Sequence, residues 1–206
     1  MNDYVELHLK KNRTWPWPED SFGLTPMFGE EGWCRSCGVP KREQHGPLIL
    51  QARKQSATGA WVPYWQYDII CVEARLGIVL CDRFGINLRE VEWRGTAPGP
   101  AFQLVIPVGA EPWYDPKELA ASAEARHGTT GAECPECSVW RWMPLVPELM
   151  PPRRWIPGAD TPPVVASPEW FGDGLNSFRL ILLRRDLAET IAKTSPRDFE
   201  TYEEAI

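Results

Sequence analysis

Two Cys-x-x-Cys pairs carry the most definite chemistry in this sequence. Cys34 and Cys37 lie in Trp33-Cys34-Arg35-Ser36-Cys37-Gly38, and Cys134 and Cys137 in Glu133-Cys134-Pro135-Glu136-Cys137-Ser138. A Cys-x-x-Cys turn presents two thiolates on one side of a tight loop, and two such turns supply the four sulfurs that tetrahedral Zn²⁺ takes at about 2.3 Å. Residues 38–133, 96 in all, separate the pairs, where a compact zinc ribbon uses about 15–20. The fold, and no local loop, must therefore close such a site. Gly38 eases the first turn, whereas Ser138 stands at the matching place in the second. The reading favoured is one structural zinc shared by Cys34, Cys37, Cys134 and Cys137, with two redox pairs or inert thiols as the alternatives.

A redox pair needs a thiolate of depressed pKa at a helix N-terminus, between a strand and that helix. Cys34 instead follows a Gly-rich stretch, and Cys134 precedes the β-rich Val139-Trp140-Arg141-Trp142. A catalytic zinc keeps one coordination position open, so four available cysteines favour a closed, structural site. Cys71 and Cys81 read as buried small hydrophobes, Cys81 on a helix face with Ile78, Leu80 and Phe84. His8, His45 and His127 have no partner at ligand spacing and read as surface or loop residues. Asp20, Glu30 and Glu31 read as solvated loop acids. The sequence has no Gly-rich phosphate loop, no Gly-x-Ser-x-Gly and no His-Glu-x-x-His, so the protein is expected not to be an enzyme.

Composition sets the broader class. In 206 residues, 43% are hydrophobic and 24% charged, enough apolar surface for a conventional core in a single domain, 1–206. Twenty-two basic residues against 28 acidic ones leave a net charge of −6, which argues against general binding to nucleic acid or to anionic lipid. No apolar run approaches the roughly 20 residues of a membrane span. The start, Met1 to Lys11, has no continuous apolar segment of the secretory kind, so a cytoplasmic location is expected. Thiols in that reducing compartment serve as metal ligands or stay free instead of forming structural disulfides. Trp15/Trp17, Trp61/Trp65 and Trp140/Trp142 read as aromatic core, with protein-interface anchors as the other reading.

The elements that must position the cysteines follow from periodicity. Alternation in residues 4–10 predicts a strand, and residues 13–33 predict an irregular arm packed by its own aromatics. Short strands are expected at Leu48–Leu50, Ala60–Trp65 and Phe102–Val108, and a helix at Pro116–Arg126 capped by Asp115 and stopped by His127-Gly128. Eight prolines in residues 144–168 predict an extended connector lying on the core through Leu145, Val146, Leu149, Trp155 and Ile156. Two strand–helix–strand units stand out. The first spans Asp68–Trp93, with strand Ile69–Val72, helix Ala74–Phe84 stopped by Gly85, and strand Asn87–Trp93; the second spans Phe178–Glu204, with strand Phe178–Leu183, helix Asp186–Thr194 and strand Asp198–Glu204. Setting Leu76 on Leu187 aligns them at an offset of 111 residues. The expected fold class is α+β: small mixed sheets, two strand–helix–strand units, and a split four-cysteine zinc knuckle site. Each knuckle precedes its unit, giving two pseudo-repeats at about 30–108 and 130–206.

The two cysteine pairs about a hundred residues apart, followed by the Phe178-Arg179-Leu180-Ile181 strand and the Arg185-Asp186-Leu187-Ala188-Glu189 helix, resemble the double-CXXCG paralogous family of bacterial proteins. That family is grouped with immunity proteins of contact-dependent or polymorphic toxin systems. The resemblance covers the knuckles and the tail, about half the chain. It implies a cytoplasmic zinc-binding protein that neutralises a cognate toxin by binding it, with the four knuckle cysteines as ligands. The rival from another class is a zinc-ribbon nucleic-acid adaptor, whose basic face would draw on Lys10/Lys11/Arg13, Lys41/Arg42 and Arg153/Arg154.

Overall fold

A computed structural model describes residues 4–10, 15–52 and 58–202. The fold is mixed α+β, with three small sheets and four α-helices among the described residues. In chain order the elements are β1 (Tyr4–Leu9), α1 (Leu24–Phe28), β2 (Leu48–Gln51), β3 (Ala60–Trp61), β4 (Cys71–Glu73), α2 (Ala74–Phe84), β5 (Leu88–Arg94), β6 (Ala101–Leu104) and α3 (Pro116–His127). There follow β7 (Gly131–Glu133), β8 (Trp140–Trp142), β9 (Val164–Ala166), β10 (Trp170–Asp173), β11 (Asn176–Phe178), β12 (Ile181–Arg184), α4 (Arg185–Thr194) and β13 (Phe199–Tyr202).

The first sheet runs β2-β5-β6-β4-β3, and the second runs β13-β1-β12-β9. In the first, β6 lies antiparallel to both β4 and β5, so the strands flanking α2 are parallel to each other with one strand between them. In the second, β1 is likewise antiparallel to β12 and β13, which flank α4. The intervening strand comes from just after the first unit in one sheet and from the N-terminal end in the other. The third sheet, β11-β10-β8-β7, carries the second cysteine pair on its β7–β8 hairpin.

Helix boundaries follow local chemistry. Asp115 accepts hydrogen bonds from the Lys117 and Glu118 N–H groups, and Pro116 occupies the first turn of α3. Gly85 closes α2 at φ 66°, its N–H donating back to the Cys81 carbonyl while the Ile86 N–H donates to the Leu80 carbonyl. The main core forms where α2 and α4 pack between the first two sheets: Leu76, Leu80 and Phe84 meet Leu187, Ala188 and Ile191, with Val5, Val72, Leu104 and Leu183 from the strands. The α2 stripe is 76, 77, 80 and 84, which leaves Ile78 at 61% exposure and Cys81 exposed. The expectation of a buried Cys81 therefore fails, because residue 81 falls outside the i, i+4, i+8 row that the core covers. Cys71 is buried, as expected.

Several strands are shorter than expected. Ala60–Trp65 shrinks to two paired residues ahead of Pro63, which has no N–H to donate, and Phe102–Val108 stops at Leu104 with Pro107 ahead. The single strand expected from Phe178 is divided between β11 and β12, and residues 203–204 of the last strand lie outside the described residues. The arm is not irregular throughout, since it contains α1. Its aromatics stack on rings from elsewhere in the chain: Trp15 on Trp93, Trp17 on Tyr64 and Phe22 on Trp65. Just before α1, Asp20, Ser21 and Phe22 take φ of 44°, 54° and 57°, a left-handed run that costs about 1–2 kcal/mol per residue. The Gln66 side-chain amide donates to the Phe22 carbonyl and helps to hold it. In the proline-rich connector, Leu145, Met150 and Trp155 pack around Trp113 as a lining should, but Val146, Leu149 and Ile156 are exposed.

Two measurements test this core. Leu187→Ala should cost about 2–5 kcal/mol in urea unfolding, whereas Ile78→Ala should stay within about 0.5 kcal/mol of the parent. Asp68 supplies the second: burial pushes its carboxyl up to about 6, against the opposing pull of the Arg179 backbone N–H and guanidinium. The unfolded chain gives up this proton near pH 4, before the folded one does. The group's contribution is thus fully present below pH 4 and is lost as pH rises through 6. Asp68→Asn should remove a decline of the order of 2 kcal/mol between pH 4 and 6, read as the difference between the two proteins' unfolding curves.

Candidate metal centre

The fold brings the two cysteine pairs together. The sulfurs of Cys34, Cys37, Cys134 and Cys137 all lie within 4.8 Å of one another, with Cys34 Sγ 3.6 Å from Cys134 Sγ and Cys37 Sγ 3.6 Å from Cys137 Sγ. A thiolate tetrahedron about an ion at about 2.3 Å has edges of about 3.8 Å, so the donor set fits a four-sulfur metal site. Three of the four cysteines are buried and Cys137 is partly so. None of the three histidines joins the cluster. His8 lies 3.7 Å from Glu200, His127 contacts the Pro144 carbonyl at 2.8 Å, and His45 is exposed.

The two turns are built alike, residue for residue at an offset of 100. The Cys34 N–H donates to the Val39 carbonyl at 2.9 Å, and the Cys134 N–H to the Val139 carbonyl at 3.0 Å. Gly38 and Ser138 each donate their N–H to the first cysteine of their pair at 2.8 Å, and both adopt positive φ, 77° and 58°. Backbone N–H groups of residues 36 and 37 point at the Cys34 sulfur, and those of 136 and 137 at the Cys134 sulfur. Such amides hold negative charge on sulfur.

Burial pushes the Cys34 and Cys37 thiols up, and for both it outweighs those amides. Burial also raises Cys134, but the Cys137 and Glu136 N–H groups and the neighbouring thiols of Cys34 and Cys37 win there and bring it down to about 6. Four thiolates cannot share this volume unaided, because like charges this close suppress one another's ionisation. A bound cation would relieve that repulsion.

Residues other than the cysteines lock the turns together. The Ser36 hydroxyl donates to Glu136 at 2.7 Å and Lys41 pairs with the same carboxylate at 3.3 Å, so the first turn is clasped to the second. The Ser36 hydroxyl and the Lys41 ammonium hold the Glu136 carboxyl below its usual range. The Ser177 hydroxyl donates to the Cys37 carbonyl at 2.6 Å, and buried Arg141 reaches Ser177 at 3.2 Å and the Gly174 carbonyl at 2.6 Å. The β10–β11 turn is thereby a bracket that seats the first cysteine turn on the sheet holding the second. Sequence reasoning missed Ser36, Lys41, Glu136, Arg141 and Ser177 as parts of the site. The matching positions of Ser36 and Glu136 in the two motifs were a readable signal; nothing in the sequence marks Ser177.

No protein-family profile, no curated protein and no solved structure matches this chain. The two turns offer a direct test of the geometry. A Cβ on Gly38 would lie 2.3 Å from the Leu175 carbonyl oxygen, so Gly38→Ala should destabilise by more than about 2 kcal/mol. Ser138→Gly should stabilise by about 0.5–1 kcal/mol, because glycine takes positive φ without the Cβ penalty. Thermal unfolding of both variants checks the pair.

Proposed function

We propose that this protein is a zinc-stapled binding protein of the double-CXXCG immunity type, which neutralises a cognate toxin by occupying its surface. The observation that carries the zinc part is the four-sulfur cluster assembled from turns 96 residues apart. A closed Cys₄ set is the donor chemistry of structural zinc. Bound there, zinc would supply four sulfur cross-links between distant segments, with Cys34, Cys37, Cys134 and Cys137 as its ligands. The immunity part rests on the family resemblance, and the net charge of −6 suits rapid electrostatically steered capture of a basic toxin. The absence of a nucleophile–base motif in the sequence agrees with stoichiometric binding in the cytoplasm in place of catalysis. No helix among the described residues is long and apolar enough to cross a membrane.

The same reading treats the chain as two pseudo-repeats. Each has a cysteine turn followed by a strand–helix–strand unit whose parallel strands bracket an antiparallel one, which supports descent from one duplicated unit. The nucleic-acid adaptor draws less support from the surface. Lys41 is paired with Glu136, and Arg154 with Asp115 and Glu118; Lys11 and Arg13 lie outside the described residues.

The purified protein should contain one zinc per chain by elemental analysis, and Cys34→Ser or Cys134→Ser should lose it. Chelation should lower stability, since structural zinc binding contributes folding free energy directly. At pH 7 the raised Cys34 and Cys37 thiols carry protons that zinc must displace. With at least two protons released, apparent affinity should fall about 100-fold or more per pH unit as pH drops from 7. A fully folded protein free of metal would overturn the zinc reading. Co-expression with the product of an adjacent toxin-like gene should yield a complex and restore growth. Salt-sensitive binding to DNA or RNA instead would favour the adaptor.

A further inference from the structure

Beside the first cysteine turn, the fold encloses a cleft of about 800 Å³, within the size range of small-ligand sites. Its walls come from α1, the chain after Gly38, the loop before β4, β6 with the residues that follow it, and the third sheet at Trp170 and Ser177. One part of the lining is apolar: Leu24, Met27, Ile69, Leu104, Ile106 and Val108. The polar floor includes Gln44 and Gln103, whose side-chain amides exchange two 3.0 Å hydrogen bonds, with Gln103 buried.

The charge of the cleft opposes that of the whole protein. Lys41, Arg42, Arg89 and Arg179 line it against Glu43 and Asp68, in a chain of net charge −6. Two of the four cations are committed: Lys41 to Glu136, and Arg179 to the Ser167 and Pro168 carbonyls. The guanidinium groups of Arg42 and Arg89 make no hydrogen bond or ion pair with the described residues. A half-apolar cleft with uncommitted guanidinium groups and amides on its floor complements a ligand with an apolar body and one anionic head.

We propose that this cleft binds a small amphipathic organic anion, its body against the apolar part of the lining and its head paired with Arg42 and Arg89. This site is separate from the zinc and toxin reading and holds or fails without it. Guanidinium pairing with a carboxylate or sulfonate is charge-assisted, and the flanking amides can accept or donate to polar atoms on the body.

The probe is 1-anilinonaphthalene-8-sulfonate, an aromatic body with one sulfonate, with uncharged N-phenyl-1-naphthylamine as its matched neutral. Fluorescence titration of the native full chain should show saturable 1:1 binding of the anion, and the neutral compound should bind at least about tenfold more weakly. Arg89→Met and Arg42→Met should each weaken the anion about tenfold or more, the range of a lost charge-assisted hydrogen bond. Arg89→Lys should restore part of the loss, and Arg126→Met, on exposed α3 away from the cleft, should leave binding unchanged. The side-chain amide resonances of Gln44 and Gln103 should shift on titration. Circular dichroism of each variant establishes that it is folded. No saturable binding, equal binding of the neutral compound, or insensitivity to both arginine replacements in folded variants would overturn the proposal.

Discussion

Everything distinctive about this fold depends on holding four thiol groups within 4.8 Å of one another across a 96-residue separation. Chain entropy opposes that closure, and so does charge, because ionised sulfurs at such distances repel strongly. The protein meets the first cost with packing and the second with backbone amides aimed at sulfur, those of Ser36, Cys37, Val39, Glu136 and Cys137. A cross-link over a loop of about 100 residues is worth roughly 4–5 kcal/mol in the chain-entropy picture, so a metal here would tie the two halves with an effect comparable to a native disulfide.

The cluster and the main core are physically separate. Around α2 and α4 the packing is aliphatic and needs no metal: Leu76, Leu80, Leu187 and Ile191 are almost fully enclosed. Around the cysteines the enclosing residues are few, with Val39 buried and Val139 and Trp170 packed beside it. Polar links supply the rest, from Arg141 through Ser177 to Cys37 and from Ser36 and Lys41 to Glu136. Stability is therefore uneven: the two-helix core draws on apolar burial, whereas the third sheet and both cysteine turns draw on hydrogen bonds and sulfur chemistry.

The tryptophans divide along the same line. Trp15, Trp33, Trp61 and Trp113 are buried and do core work, Trp61 and Trp113 among the largest enclosed side chains. Trp140, which directly follows the second cysteine turn, is 41% exposed and stands edge-on to Trp142. Aromatic burial and an exposed tryptophan beside the cysteines thus coexist in one chain.

What the sequence determined by itself is what local chemistry decides. The limits of α2 follow from apolar spacing and Gly85, those of α3 from Asp115, Pro116 and Gly128, and the edge of β1 from strict alternation. The two cysteine turns belong to the same class, because a Cys-x-x-Cys with its small following residue fixes its own hydrogen bonds within six residues. The four cysteines were readable as one candidate metal site because the chemistry of four cysteines in two pairs has few solutions. Tertiary structure alone decided that the pairs meet, since no local rule spans 96 residues. It alone decided that β1 enters the sheet of the last helix, that Ser177 and Arg141 bracket Cys37, and that Ile78 and Cys81 face solvent. Which side of a helix is covered, and which strand fills the gap between two parallel neighbours, depends on the free energy of packing the whole chain and not on any stretch of it.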